Sequence, residues 1–231
     1  SDGDYVRVAG TTQLYSGALQ IILTEVDQVD PTRVDETAFR VLTQDAVVRL
    51  RQELNDFAAT LQESLPKLVF EEVLSDAALM EAFERCPAGI KHHHAYAGGL
   101  LEHVVMLLRL ADRVASLYPE LDRDLLLVGV LVHDIGKTVE LENEKGFSYT
   151  DSGQLLGHVL LGIQIVDDKI RKIEERAGQP FDQEVSNRIK HMVASHHGEY
   201  AFGAPKLPMT LEAIALHFID ALDAKLIGTL Q

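Results

Sequence analysis

The sequence has few cysteines, few basic residues and no long apolar run, and each shortage excludes a class of protein. Its one cysteine, Cys86, rules out a disulfide within the chain and fits a reducing compartment. Lys and Arg number 21 against 36 Asp and Glu, and the net charge of −15 argues against a general polyanion-binding surface. The longest apolar run, 125–132, is too short to cross a bilayer, and no signal peptide is visible. We therefore expect a soluble, cytoplasmic globular protein that binds no membrane.

Residues 1–30 differ from the rest of the chain because their apolar and polar residues alternate with the period of a strand. Residues 5–9 alternate, Gly10 follows, and Ser16-Gly17 before the apolar stretch 18–26 is typical of a hairpin turn. Two or three strands do not form a stable domain alone. Either these strands pack on the residues that follow, or they are the end of a β-barrel whose beginning is missing. We favour the second and expect 1–30 to be a partial β unit of a longer polypeptide.

After a charged connector, residues 31–43, the chain has the periodicity of α-helices. Pro66 and five further prolines lie between the periodic segments, where helices are expected to end. The sequence therefore predicts a mainly α-helical domain over residues 44–231. The predicted helices are 46–65, 67–74, 77–85, 98–118, 125–133, 154–176, 182–195 and 211–227.

Four predicted helices carry a polar group on the stripe that should face an apolar core. His103, His133, His158 and Asp220 each follow apolar residues at helical spacing. The third stripe, for example, consists of Leu155, His158, Gly162 and Ile165. A single histidine on such a face is usually a hydrogen-bonded core residue, but buried carboxylates are costly unless paired or bound to metal. A shared divalent cation is the economical explanation, because it offsets the desolvation of all four groups.

The adjacent pair His133-Asp134 adds specificity to this prediction. Neighbours on a helix point about 100° apart, so both side chains can face one site only near the end of a helix. Gly136 supplies such an end if it occupies the C′ position after the helix. Lys137 then lies beside the site as a mobile positive charge.

The order of these residues resembles the HD-domain superfamily of metal-dependent phosphohydrolases. The resemblance covers about residues 90–228 and rests on His103, the doublet His133-Asp134 with Gly-Lys after it, and the later Asp220. It implies that these four residues ligate metal. Binuclear members add two histidines between the doublet and the last aspartate, and here His158 and one of the pair His196-His197 match. The comparison favours His196 over His197 without settling the choice.

At a finer level, the segments 91–103, 195–198, 208–213 and 217–225 are similar to the YhaM-type 3′–5′ exoribonucleases. In that family an oligonucleotide-binding (OB) barrel precedes the HD domain, and residues 6–26 are similar to its closing strands. The resemblance implies an HD-domain helical bundle preceded by a small β remnant of an OB barrel. It also implies single-stranded RNA as the substrate, and self-association of the chain.

The resemblance also implies a mechanism with two divalent metal ions bridged by Asp134, which make hydroxide available near neutral pH. Mn²⁺ is favoured, and the mixture of imidazole and carboxylate also suits Fe²⁺, Co²⁺ or Zn²⁺. The expected metal ligands are His103, His133, Asp134, His158, His196, His197 and Asp220. The expected catalytic groups are Asp134, Lys137, His93 and His94. The expected substrate-binding groups are Lys91, His92, Tyr200 and Lys206, with Phe202 as the alternative to Tyr200 for stacking on a base. Both the histidine run and the loop of Tyr200 could instead be ordinary solvated or packed segments.

Three functions compete on this evidence. The first is a 3′–5′ exoribonuclease, which the metal cluster and the barrel remnant favour. The second is an HD phosphohydrolase or phosphodiesterase acting on small nucleotides, which the net negative charge favours mildly. The third is a non-catalytic HD module that serves in assembly, and the intact set of ligands argues against it.

Overall fold

A computed structural model describes residues 5–15, 18–34, 42–89, 96–142 and 148–229. The chain divides into two units, Ser1–Phe39 and Arg40–Gln231. None of the helices in the described ranges combines the length and the apolar composition that crossing a lipid bilayer requires.

The first unit contains a β-hairpin. Strand β1 (Val6–Tyr15) pairs antiparallel with β2 (Ala18–Gln28), so the predicted hairpin is confirmed, while its predicted turn, Ser16-Gly17, lies outside the described residues. Strand β1 continues through Gly10, and the register of its pairing with β2 shifts between Ala9 and Gly10 as a bulge.

The second unit is helical, as predicted. Within its described residues a short two-stranded ribbon, β3 (Leu141–Glu142) and β4 (Ser148–Tyr149), accompanies the helices. The helices are α1 (Gln44–Thr60), α2 (Leu65–Ser75), α3 (Ala77–Arg85), α4 (Gly99–Leu117), α5 (Arg123–Val132), α6 (Lys137–Glu140), α7 (Asp151–Ala177), α8 (Gln183–Ser195) and α9 (Leu211–Thr229).

Most of these helices begin where a Ser, Thr or Asp side chain accepts a hydrogen bond from a backbone N–H of the first turn. Such caps satisfy donors that otherwise lack a partner, and each stabilises a helix by about 1 kcal/mol. The capping residues are Thr43, Ser64, Asp76, Asp122, Thr150, Asp182 and Thr210.

Helix α5 lies at the centre of the bundle. Every residue from Asp124 to Val132 is buried, and the helix packs against α2, α4, α8 and α9. A helix that is apolar on all sides must be covered on all sides. Its last turn therefore delivers His133, which has no exposed surface, into the interior of the unit.

Two predictions about helix boundaries were wrong. The predicted helix 46–65 ends at Thr60, because Leu61 is extended and the backbone N–H of Gln62 donates to the carboxylate of Asp124, 2.8 Å away. Pro66 does not separate two helices. It lies in the first turn of α2, where a proline costs nothing because its missing N–H has no partner in the helix.

Candidate metal centre

Asp134 lies between two pairs of imidazoles, and each of its carboxylate oxygens faces one pair. Its Oδ2 is 3.4 Å from Nε2 of His133 and 4.0 Å from Nε2 of His103. Its Oδ1 is 3.6 Å from Nε2 of His158 and 3.5 Å from Nε2 of His196. The carboxylate therefore joins two neighbouring sets of ligating atoms.

The two sets are compact enough to hold one cation each. Within each set, every residue offers one ligating atom, and these atoms lie within 4.8 Å of one another. Asp220 adjoins the first set, because its Oδ1 is 3.3 Å from Nε2 of His103. The first set is His103, His133 and Asp134, and the second is His158, His196 and His197. The structure thus brings together all the residues that the sequence predicted as metal ligands, including both members of the pair His196-His197.

Backbone carbonyls fix the orientation of two of these imidazoles. Nδ1 of His133 is 2.8 Å from the carbonyl oxygen of Val130, and Nδ1 of His196 is 2.8 Å from that of Val193. A carbonyl oxygen only accepts, so Nδ1 of each ring must donate. In a neutral ring Nε2 then presents its lone pair toward Asp134, which is the arrangement that metal-ligating histidines adopt.

Carboxylates hold the other two imidazoles in the same way. Nδ1 of His103 is 2.8 Å from Oδ2 of Asp223. Nδ1 of His158 is 3.2 Å from Oε1 of Glu140, and the same oxygen accepts from the backbone N–H of His158 at 2.9 Å. A carboxylate behind a ligating imidazole fixes the ring and makes it a stronger ligand.

The orphaned polar atoms of this cluster test whether a metal fits. Within the described part of the chain, Nε2 of His133, Nε2 of His158, Oδ1 of Asp134 and Nδ1 of His197 are buried without a hydrogen-bond partner. A buried polar atom without a partner costs about 1–3 kcal/mol, so such atoms are rare unless something else satisfies them. Imidazole nitrogens and carboxylate oxygens together suit Mn²⁺, Fe²⁺, Co²⁺ or Zn²⁺. The donor set therefore fits divalent transition metals.

The pKa values of His103 and Asp134 are shifted by neighbours of opposite charge within the cluster. Burial alone would lower the pKa of His103, but hydrogen bonds with Asp220 and Asp223 raise it to about 9. Burial would raise the pKa of Asp134, but Lys137 and His133 hold it well below its ordinary value. Asp134 therefore stays ionised in the interior, and an ionised carboxylate is the form that ligates a metal ion.

Gly136 allows helix α7 to approach the doublet. A Cβ on Gly136 would lie 1.9 Å from the carbonyl oxygen of His158 and 2.6 Å from the backbone nitrogen of Gly162. The prediction that Gly136 ends the helix at C′, the position that usually takes the left-handed conformation, was wrong, because its φ is −63°. Helix α5 does end before Gly136, at Val132. Because Gly136 lacks a side chain, α7 packs closely against it, and this brings His158 to Asp134.

A break inside α7 turns His158 into the cluster. Gly157 has φ 73° and ψ 158°, a conformation outside the helical region that glycine adopts readily. The predicted continuous stripe was therefore wrong at its start, since Leu155 is 83% exposed. The residues before and after Gly157 belong to different helical phases.

Lys137 is held in place and is not the mobile charge that the sequence suggested. Its Nζ donates to Oδ2 of Asp134 and to the carbonyl oxygen of Ala88, both at 2.6 Å. Burial lowers the pKa of Lys137, but the neighbouring Asp134 raises it above its ordinary value. The ammonium group thus lies fixed at the edge of the cluster.

The cluster forms the floor of a cleft of about 740 Å³. Side chains that line it without having been predicted are Glu199, His217, Phe218 and Lys225, and Phe202, the predicted alternative to Tyr200, lines it as well. Tyr200 and Lys206, which were expected to bind substrate, are exposed but do not line the cleft. Lys91, His92, His93 and His94 lie outside the described residues.

Two site residues of α9 were not predicted, although their spacing in the sequence indicates them. His217 and Asp223 lie three residues before and after Asp220, so all three share one face of a helix. Asp223 holds His103, and Nδ1 of His217 is 2.9 Å from the carbonyl oxygen of His196. Glu140 had no such signal, because its contact with His158 depends on the packing of α6 against α7.

Comparisons with known proteins agree with the geometry. The profile of the HD domain family matches residues 100–225 of this chain. The 3′–5′ exoribonuclease YhaM of Listeria innocua is 34% identical over 224 residues, which are 96% of this chain and 68% of that relative. The protein of the same name from Geobacillus is 35% identical over 224 residues, 96% of this chain and 66% of that relative.

A shorter region of the chain is more similar still to another relative. The 3′–5′ exoribonuclease YhaM of Bacillus subtilis is 44% identical over 140 residues, which are 61% of this chain and 43% of that relative. No solved structure gives a significant match to the chain.

Proposed function

Because this chain belongs to the HD domain family, we propose that it is a metal-dependent 3′–5′ exoribonuclease. As a member of this family with relatives named exoribonucleases, it is a metal-dependent hydrolase with RNA as its substrate. One observation carries the assignment of the site: Asp134 lies between two sets of histidines, and each of its oxygens faces one set.

The proposed centre holds two ions, and Mn²⁺ is the ion we favour. Asp134 would help to hold both ions. His103, His133 and Asp220 would hold the first ion with it, and His158, His196 and His197 would hold the second. Orphaned atoms in both sets support this division, since Nε2 of His133 belongs to one and Nε2 of His158 to the other.

Divalent cations bound there would lower the pKa of water and offset negative charge on the phosphate oxygens. The protein's own part is to hold the reacting phosphodiester in the cleft and to stabilise its charge. We propose that Nζ of Lys137, which is fixed beside Asp134 and lines the cleft, donates to a non-bridging phosphate oxygen. No protein nucleophile is required, and Cys86, the one thiol, is buried and is not among the residues that line the cleft.

We further propose that the RNA is single-stranded and that the enzyme acts in the cytoplasm. The chain has few basic residues, and its net charge of −15 repels an extended polyanion. This supports recognition of the RNA locally, at its 3′ end. Lys91, His92, His93 and His94 stay proposed contacts of the scissile or adjacent phosphate, and Tyr200 and Lys206 stay proposed contacts further along the strand.

The test is an oligoribonucleotide labelled at its 5′ end and incubated with the protein and Mn²⁺. We expect a ladder of products shortened one nucleotide at a time, no reaction in excess EDTA, and none with Asp134→Asn. Turnover of mononucleotides or cyclic dinucleotides without shortening of RNA would replace the proposal by a phosphohydrolase of small nucleotides. A circular dichroism spectrum equal to that of the wild type is the control for folding of the variant.

A further inference from the structure

Two phenylalanines lie on the walls of the cleft above the metal cluster. Phe202 belongs to the short 3₁₀ segment Tyr200–Phe202, and Phe218 belongs to α9, yet both line the cleft with Asp134 and Asp220. Phe202 is 65% exposed and Phe218 is 66% exposed. A single exposed phenylalanine needs no explanation, but two rings from separate elements at one charged site point to a ligand.

The distribution of charge in the cleft matches the two halves of a nucleotide. The floor carries Asp134, Asp220 and the ammonium group of Lys137, which suit bound cations and a phosphodiester. Ala221, Ala224 and the two phenyl rings add apolar surface to the cleft, which Glu199, His217 and Lys225 line as well. A nucleotide whose phosphate lies on such a floor has its base at the walls, because the base is the apolar, planar half of the molecule.

We infer that Phe202 and Phe218 form the stacking surface for the nucleobase on the 3′ side of the scissile phosphodiester. The inference rests on the proposed function and names the part of the RNA that the cleft recognises. Every base has a flat π-face, so stacking favours an unpaired terminal base without selecting among the four. The two rings are thus the source of specificity for a single-stranded 3′ end.

An alternative role for Phe218 is contact with another protein. Phe218 also borders a separate apolar groove between α4 and α9, which Tyr118, Leu121, Ile214 and Leu222 line as well. Tyr118 is 59% exposed and does not line the cleft. A Tyr118→Leu variant therefore perturbs the groove and leaves the cleft walls intact, which makes it the matched control.

The test compares two fluorescent oligoribonucleotides, one with an ordinary 3′-terminal nucleotide and one with an abasic residue there. Their Kd values are measured by anisotropy in EDTA, where no cleavage interferes, and their KM and kcat values are then measured with Mn²⁺. We expect the wild type and Tyr118→Leu to bind the ordinary end about tenfold more tightly, a typical effect of one stacked base. In Phe202→Leu, Phe218→Leu and the double variant, the ratio of the Kd values for the abasic and the ordinary end should fall toward one. Their KM values should rise, and their kcat values should change little.

Conservative replacement distinguishes stacking from mere packing. Phe202→Tyr and Phe218→Tyr keep an aromatic face and should retain most of the preference. If the wild type shortens RNA but the double leucine variant keeps its preference, the stacking inference is wrong while the proposed function stands. If the phenylalanine variants and Tyr118→Leu alike change only the elution volume on size exclusion, the rings belong to a protein interface, and the inference is again wrong. If the wild type shortens no RNA, the proposed function fails and the inference with it.

Discussion

Oε1 of Glu140 accepts two hydrogen bonds from one residue, His158: one from its backbone N–H at 2.9 Å and one from Nδ1 of its ring at 3.2 Å. The two contacts fix both the backbone and the ring of His158 directly after the break at Gly157. Burial raises the pKa of Glu140, but the contacts with His158 outweigh this and hold the pKa below its ordinary value. Glu140 is therefore ionised where it supports the ligand.

Replacement of Glu140 by glutamine should weaken the second metal site without unfolding the protein. Glutamine keeps the size of the side chain but removes the charge that orients His158 and strengthens it as a ligand, and such changes typically cost about 10–100-fold in metal affinity or activity. The measurement is a Mn²⁺ titration followed calorimetrically, together with the RNA assay. Glu142→Gln is the control, because Glu142 is exposed and contacts Ser148 instead. Equal affinities in the two variants would contradict a role for Glu140.

The number of ions per chain should depend on the two ligand sets separately. Elemental analysis of protein loaded with Mn²⁺ and desalted should give about two ions for the wild type and about one for His158→Ala, because that variant disrupts only the second set. His191→Ala is the matched control, since His191 contacts the backbone N–H of Met209 outside both sets. A wild-type value near one would mean that His158, His196 and His197 do not form a second site.

The convergence of the ligands was predictable because helical periodicity fixes which residues share a face. The stripe positions of His103 and Asp220 placed both in the interior, and the structure brings them within 3.3 Å of each other. The helix end after His133 followed from the geometry of adjacent residues. These inferences needed only the spacing of residues along single helices.

The parts of the site that the sequence did not predict depend on contacts between elements, which the spacing of residues does not reveal. Glu140 reaches His158 only because α6 packs on α7, and Gly136 permits that packing through a close approach of two backbones. A glycine inside an amphipathic pattern is a weak signal, so the break at Gly157 was missed. Similarly, whether Tyr200 or Phe202 enters the cleft depends on the turn of a short 3₁₀ segment, although both rings are 65% exposed.

Addition of a methyl group at Gly136 should damage stability and metal binding together. In Gly136→Ala the new Cβ would meet the carbonyl oxygen of His158, and backbone cannot move aside as a flexible side chain does. Overpacking of this kind costs about 1–3 kcal/mol, which lowers Tm by about 3–10 °C in a domain of this size. Differential scanning calorimetry and a Mn²⁺ titration measure the two effects. Gly89→Ala is the control, because no atom in the described part of the chain lies within 4 Å of a Cβ there.

The ion pair between Asp76 and Lys169 should contribute stability that disappears in acid. Asp76 caps α3 and accepts from the buried Nζ of Lys169, and these bonds lower the pKa of Asp76 to about 2. Because the folded pKa lies below the unfolded value of about 3.9, the stabilisation is complete above pH 4 and is lost as the pH falls toward 2. Asp76→Asn should lower the free energy of unfolding at pH 7 by about 3 kcal/mol, since it leaves the Lys169 ammonium buried without its partner.

Urea unfolding at several pH values checks this expectation. The difference between the wild type and Asp76→Asn should be constant from pH 7 to pH 5 and should shrink below pH 4. In the double variant Asp76→Asn, Lys169→Met, stability at pH 7 should recover in part, because the uncompensated charge is gone. A difference that stays constant down to the lowest measurable pH would contradict this prediction, because the stabilisation would then not depend on the ionisation of Asp76.

The single thiol should be inert in the folded protein and so report on unfolding. Cys86 is 5% exposed, and burial raises its pKa to about 12, so almost no thiolate exists at neutral pH. A chromogenic disulfide reagent at pH 8 should label no thiol in the native state and one thiol per chain in concentrated urea. Because the reagent reaches Cys86 only when the packing around it opens, the labelling rate at intermediate urea should follow the unfolded fraction measured by circular dichroism. Stoichiometric labelling within seconds under native conditions would instead mean that the segment around Cys86 opens independently of the rest of the bundle.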